Sequence, residues 1–264
     1  MNLFYREKGN SENPPLLIFH GLWGASDNWL QVATQLAEHF HVILPDLRNH
    51  GRSPHFTAMD YEDLSEDLFR FIGELQLPQK PFLAGHSMGG KALMTLLSKY
   101  PNIAPKAAVL DIAPRSYSPE QSGFHLQLLN FMSQFPIATF RRHEELRQEI
   151  RRQLRSEALC QIIFKNIRKS ASNFEWKVNI HALQEHLDDL LSWSIPSGAS
   201  LYPFPLLFIK GENSPYLQVS DLHPIRTLFP HADLISLPGA SHYLHAETPE
   251  LLAQTLTDFF LPSK

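Results

Sequence analysis

A single cysteine, Cys160, occurs in 264 residues, so no disulfide can close within the chain. The sequence fits a reducing compartment, in which a lone thiol serves as a small buried hydrophobe. A basic excess is missing too. Lys+Arg number 23 against Asp+Glu 27, a formal charge of -4, and without surplus cations a phosphate backbone is not neutralised. Nucleic acid is therefore not expected as a partner. Long apolar runs are also absent: stretches such as Leu16–Phe19 and Leu206–Ile209 fall far short of the roughly 20 residues that cross a bilayer. The segment Met1–Pro15 is polar and mixed in charge, with nothing like the apolar stretch of a secretory signal. Together these absences set the expectation of a soluble, cytoplasmic protein with no membrane span. Metal-ligand clusters are not evident either. His181 and His186 lie five apart, too far round a helix to share a ligand face, and no carboxylate cluster accompanies them.

What is present is ordinary globular composition, 43% hydrophobic and 19% charged, in a chain long enough for one substantial domain or two small ones. From Leu16 onward, short apolar runs alternate with stretches at helical spacing, the pattern of a mostly parallel sheet covered on both faces by helices. Strands are predicted at Leu16–Phe19, Val42–Leu44, Phe82–Ala84, Ala107–Leu110, Leu206–Ile209 and Leu234–Leu237. Between them Trp29, Val32, Ala33, Leu36 and Ala37 mark one helix face, and Leu64, Leu68, Ile72 and Leu75 mark another. Thr248-Pro249 announces a closing helix with Leu251, Leu252, Leu256, Phe259 and Phe260 as its apolar stripe.

The alternation stops after Asp111. From Pro114 to Tyr202 the pattern is helical, with Leu146, Ile150 and Leu154 on one face, Leu159, Ile162, Ile163 and Ile167 on a second, and Ile180, Leu183, Leu187, Leu190 and Leu191 on a third. Proline-bearing turns flank it at Ala113-Pro114 and Ile195–Pro205. The expected organisation is an α/β core in two parts, residues 1–113 and 203–264, with a helical cap inserted at 114–202.

Gly85-His86-Ser87-Met88-Gly89 follows the apolar run Phe82–Ala84 and precedes a helical stretch. That is a G-x-S-x-G elbow in the context it requires: a tight strand-to-helix turn that exposes the Ser87 hydroxyl at the sheet edge, beside a helix N-terminus. Without that setting the five-residue pattern would be worth little. His20-Gly21-Leu22-Trp23-Gly24 follows the first strong strand, where a turn can aim backbone N–H groups at a developing negative charge. The N–H groups of Leu22 and Met88 are the candidate oxyanion hole, against the plainer reading of a strand-ending turn in which glycine is convenient. Trp23 either lines the acyl pocket or props the turn, and Tyr243 is a second candidate for the pocket wall. His242, in Gly239-Ala240-Ser241-His242-Tyr243 after the last predicted strand, is the candidate general base. Among 14 histidines any one is more often structural than catalytic, and His245 is close enough to compete; loop position favours His242.

His20–Trp29, Pro45–Pro54, the Ser87 elbow and Leu110-Asp111-Ile112-Ala113-Pro114 together resemble the small esterases of the α/β-hydrolase superfamily, most closely the YbfF-like bacterial esterases and the ABHD11-like animal hydrolases. The resemblance spans the core and is weakest across the insertion; Arg48-Asn49-His50-Gly51-Arg52-Ser53 is its most group-specific piece, expected to be a structured turn in which Arg48 and His50 tie neighbouring loops. It implies the α/β-hydrolase fold, no cofactor, and hydrolysis through an acyl-enzyme. Many relatives carry the triad acid after the penultimate strand in a Gly-x-x-Asp turn, which here reads Gly211-Glu212-Asn213-Ser214 and ends in a residue that cannot be the acid. The resemblance points instead to Asp111, with a turn-capping aspartate as the plainer reading and Glu212 in reserve.

The expected reaction is hydrolysis of carboxylic esters or acyl thioesters of small to medium acyl groups. Carbon–carbon hydrolysis, cofactor-free perhydrolysis and a non-catalytic receptor on the same fold remain open. Ser87 argues against epoxide hydrolases and dehalogenases, which put aspartate at the elbow. Two features of the insertion have competing readings. Arg141, Arg142, Arg147, Arg151, Arg152 and Arg155 form a solvated face or attract an anionic leaving group; Phe124, Leu128, Phe131 and Phe135 pack the cap or line an acyl tunnel.

Overall fold

The computed structural model describes residues 2–261. Its strands are Tyr5–Lys8 (β1), Pro15–Phe19 (β2), His41–Pro45 (β3), Phe82–His86 (β4), Ala107–Leu110 (β5), Ile167–Lys169 (β6), Phe174–Trp176 (β7), Leu206–Gly211 (β8) and Ala232–Leu237 (β9). Seven of them form the central sheet in the order β1-β3-β2-β4-β5-β8-β9. Only β1 is antiparallel to its neighbour; the other pairings are parallel. Each of the six predicted strands is in this sheet.

The helices are Leu30–Leu36 (α1), Tyr61–Glu74 (α2), Met88–Lys99 (α3), Pro119–Gln134 (α4), His143–Leu154 (α5), Glu157–Lys165 (α6), Ile180–Glu185 (α7), Leu187–Leu191 (α8), Leu222–Leu228 (α9), Leu244–Glu247 (α10) and Pro249–Phe260 (α11). Their placement follows from the strands' period of two. Leu16 and Ile18 of β2 pack on one face of the sheet with Trp29, Val32, Leu36, Leu252 and Leu256. Leu17 and Phe19 pack on the other with Leu64, Leu68, Leu93 and Leu97. With both faces covered, the inner strands carry continuous apolar runs rather than alternation. Local signals set the ends of the helices. Asp60 caps α2, its side chain accepting from Asp63 N at 2.8 Å, and Pro249 opens α11 at a position where a missing N–H costs nothing. No helix among the described residues is long and apolar enough to cross a membrane.

Between β5 and β8 lie α4–α8 and the two-stranded hairpin β6-β7. Two expectations are corrected here. Ile167, predicted to continue the helix face of Leu159, Ile162 and Ile163, begins β6 because α6 ends at Lys165 and Asn166 caps it. Ile180 to Leu191 is not one helix: the backbone leaves helical geometry at His186 (φ -112°, ψ 14°), separating α7 from α8. Apolar spacing reports which side is buried, and both segments do bury it; it does not report whether the hydrogen-bond ladder runs through. Polar β1, at the sheet edge, was not predicted either. Its sequence YREK is almost wholly exposed, as befits an edge strand guarded by charge.

Candidate active site

Strands β4, β5, β8 and β9 lie side by side, and the segments after their C-terminal ends supply the site. After β4 the chain turns directly into α3, with Ser87 between them at φ 53° and ψ -118°. Two glycines permit this turn. A methyl on Gly85 would lie 2.4 Å from Gly89 O, and one on Gly89 would lie 2.5 Å from Phe19 O, so neither position has room for a side chain. Ser87 N donates to Leu110 O at 3.1 Å, fastening the elbow to the end of β5.

Asp111 follows β5 and is fully buried. Its backbone also takes a positive φ, 52°, and its N–H continues the parallel ladder to Ile209 O at 2.8 Å. One carboxylate oxygen accepts from Gly211 N at 2.9 Å. The other accepts from the Ser214 hydroxyl and from His242 Nδ1 at 2.7 Å. Opposite, His242 Nε2 faces Ser87 Oγ at 3.1 Å. Serine, imidazole and carboxylate are thus in hydrogen-bond contact in that order. Since Nδ1 donates to the carboxylate, Nε2 is left to accept from the hydroxyl. The reserve acid, Glu212, lies elsewhere: it is exposed and accepts from Gly239 N at 2.8 Å.

The loop that carries His242 is held on several sides. Ser241 donates from N and Oγ to Glu247 at 2.6 and 2.7 Å. His86, the second residue of the elbow, reaches His242 O through Nε2 at 2.8 Å. Rings of Tyr216 and His86 flank the His242 ring at 4.1 and 4.7 Å between centroids. His245 does not compete for Ser87: it is buried against Trp29, with ring centroids 4.7 Å apart. Burial holds it neutral, its pKa pushed down to about 3.

The 20–24 turn sits against the elbow. A methyl on Gly21 would fall 3.0 Å from Ser87 Cβ, which sets this turn beside Ser87, while Met88, first residue of α3, has no intrahelical acceptor for its N–H. His20 braces the turn as a neutral ring. Its Nε2 accepts from Leu47 N at 2.9 Å and its Nδ1–H donates to Gly21 O at 2.9 Å; burial lowers its pKa. Trp23 is 5% exposed and reaches the insertion, donating from Nε1 to His125 Nδ1 at 2.9 Å. Tyr243 is 40% exposed beside the His242 ring.

The Arg48–Ser53 turn is structural scaffolding around the same sheet edge. Arg48 forms a two-pronged bond to Asp67 at 2.5 and 2.9 Å and an ion pair with Asp63 at 3.0 Å, joining the turn to α2. His50 donates to Arg48 O within its own turn at 2.9 Å and reaches the neighbouring 20–24 turn only by packing against the His20 ring. Sequence reasoning did not single out four other contributors: Asp46, whose carboxylate receives Ser26 N and Arg52 N, together with His86, His125 and Tyr216. Ser214, which by its chemistry cannot be an acid, donates its hydroxyl to the Asp111 carboxylate. In the insertion, the arginines in and just before α5 are engaged: Arg142 with Glu145 at 3.1 Å, Arg152 with Glu149 at 2.6 Å, Arg151 with Glu157 at 3.4 Å, and Arg147 over the Phe164 ring. Two open grooves of about 550 and 460 Å³ on the insertion are lined by neither Ser87 nor His242.

A parallel sheet that presents a serine on a strained strand-to-helix turn, facing a histidine and a buried carboxylate from neighbouring strand ends, defines the α/β-hydrolase class. The chain belongs to the alpha/beta hydrolase fold family, which matches residues 14–249. It is 32% identical to an sn-1-specific diacylglycerol lipase ABHD11 of Danio rerio, over 96% of this chain and 80% of that one. It is 31% identical to the esterase YbfF of Escherichia coli, over 92% of each chain. A marine microorganism esterase superposes with a TM-score of 0.90 at 35% identity, covering 97% of this chain and 98% of its own. Family and relatives together place the chain among the serine ester hydrolases.

Proposed function

We propose that the protein hydrolyses carboxylic esters of small to medium acyl groups through Ser87, His242 and Asp111. The observation that carries this reading is the unbroken line of hydrogen bonds from Ser87 Oγ through the His242 ring to Asp111. His242 Nε2 takes the serine proton as Oγ attacks the ester carbonyl. Charge then develops on the carbonyl oxygen, where the N–H groups of Leu22 and Met88 receive it. Collapse of the tetrahedral intermediate expels the alcohol, which leaves with the proton from Nε2, and Ser87 retains the acyl group. Water repeats the sequence, giving its proton to Nε2 and releasing the acid. Asp111, held from three sides, fixes the imidazole tautomer and offsets the charge it gains.

Residues 114–202 are proposed to act as a cap over this site, with Trp23 and Tyr243 at the pocket wall. Support comes from three ties between insertion and core: Trp23 to His125, Asn179 N to Asn49 O at 2.9 Å, and Lys177 to Asp27 at 3.2 Å. The thioester variant of the reading draws little from the arginine face, because Arg142, Arg151 and Arg152 are paired with glutamates within the insertion. The animal relatives are named diacylglycerol lipases, so glycerol esters belong in the substrate panel. The test is turnover of p-nitrophenyl esters of increasing acyl length, and of mono- and diacylglycerols, by the wild type and Ser87→Ala. Turnover with a length optimum, abolished in Ser87→Ala, is expected. Activity that survives the substitution would overturn the assignment, and inactivity of both proteins on every ester would move the reading to carbon–carbon hydrolysis or ligand reception.

A further inference from the structure

Trp23 takes a left-handed backbone, φ 66°, at a position one residue from the proposed oxyanion donor Leu22. For a bulky side chain that conformation is strained and persists only where its surroundings impose it. Within its own turn Gly24 N donates to Gly21 O at 3.0 Å, and two groups from the insertion add to that hold. The indole N–H donates to His125 Nδ1 on α4 at 2.9 Å, with the rings nearly parallel at 20°. The Trp23 carbonyl accepts from Asn166 Nδ2, at the end of α6, also at 2.9 Å. Asn166 is itself buried and shares its amide with Ile162 O. Side chain and backbone of one residue are therefore gripped by two separate insertion elements, 102 and 143 positions further along the chain.

We propose that His125 is a positioning residue for the oxyanion turn, acting through Trp23, so that the insertion completes the hole as well as covering it. The inference rests on the serine hydrolase reading above. Accepting from the indole fixes the proton of a neutral His125 on Nε2. Burial, reinforced by the neighbouring His242, pushes its pKa down to about 4. Nδ1 thus stays an acceptor while His242 carries the serine proton and charge builds in the hole. A group that orients the turn, rather than touching substrate, should matter more to the transition state than to the ground state.

The experiment separates the two ring nitrogens. His125→Phe keeps a ring and removes the acceptor. His125→Asn restores an acceptor near the Nδ1 position, whereas His125→Gln places its amide near Nε2. Each variant is assayed on a p-nitrophenyl ester for kcat and KM, and with a trifluoromethyl ketone, whose adduct with serine bears the oxyanion. In His125→Phe, kcat is expected to fall about tenfold, well short of the 10²–10³ lost with a direct oxyanion donor, with KM nearly unchanged and the ketone inhibiting about tenfold less tightly. His125→Asn should recover most of that loss. Trp23→Phe should reproduce it, and the double variant should be no worse than either single one; Trp23→Phe also serves as the reading if His125→Phe does not fold. An unchanged kcat in His125→Phe, rescue by Gln but not Asn, or additive losses with Trp23→Phe would each overturn the proposal. Ser87→Ala in the same assay keeps the two claims apart: if it retains turnover the serine hydrolase reading fails, and if it is inactive while His125→Phe is normal only this inference fails.

Discussion

Asp111 shows how far a single residue's role depends on contacts remote in sequence. Its carboxylate is bonded to Gly211, Ser214 and His242, all more than 95 positions away. Replacing it by Asn presents an amide N–H where donors already converge and favours the wrong imidazole tautomer; kcat should fall by about 10⁴. Ser214→Ala removes one of the bonds that hold the carboxylate, for an expected loss of roughly tenfold in kcat, the equivalent of about 1.4 kcal/mol. Glu212→Gln should change kcat less than twofold. Steady-state kinetics on one p-nitrophenyl ester ranks the three, and a Glu212→Gln loss exceeding that of Asp111→Asn would reverse the acid assignment. Ser87 and His242 were legible as candidates because a tight elbow and a loop before the last helix leave local marks in the sequence. His86, Tyr216 and the supporting role of Ser214 were not. Their importance is to the far end of another strand, and nothing within a few residues of them records it.

Among the elements, helices and inner strands were legible because burial on both faces imposes continuous apolar runs on β2–β5 and a single stripe on α2 and α11. Where burial is slight, as in β1, or where a buried face is shared by two short pieces, as in α7 and α8, spacing fails to give the element or its end. Helix α3 carries a further feature invisible to pattern reading. Lys91, 1% exposed, donates to Leu191 O at 2.8 Å and Ser192 O at 3.0 Å, where α8 ends, and lies over the Tyr117 ring. Burial, with Arg115 nearby, pushes its pKa down to about 7 from 10.5. Between those values the unfolded chain holds a proton that the folded chain has released, so this residue makes stability rise with pH from about 7 to 10.5. Lys91→Met should flatten that part of the profile. Urea unfolding at pH 7 and 10 checks it, and equal slopes in both proteins would contradict the role.

At the scale of the whole molecule, several neutral imidazoles are packed around the sheet edge. His50 and His245 have pKa values pushed down to about 3 and His125 to about 4, all chiefly by burial, and burial lowers His86 and His20 as well. Below the unfolded value of 6.5 the unfolded chain binds protons that the folded chain excludes, so the stability present above pH 6.5 drains away as pH falls toward 4. A single such histidine costs about 2 kcal/mol at pH 5. His245→Phe, which keeps a ring against Trp29 and removes an Nδ1 without a hydrogen-bond partner, should lose less stability than the wild type between pH 7 and 5, read by urea denaturation; an identical loss would show that His245 titrates normally. The proposed chemistry stands on Ser87 being the nucleophile that the surrounding elements present. Its most direct test is labelling with a fluorophosphonate followed by intact-mass measurement and peptide mapping. One adduct per chain, on the peptide bearing Ser87 and absent from Ser87→Ala, is the predicted result. A folded wild-type protein that takes no label, or takes it elsewhere, would contradict the account.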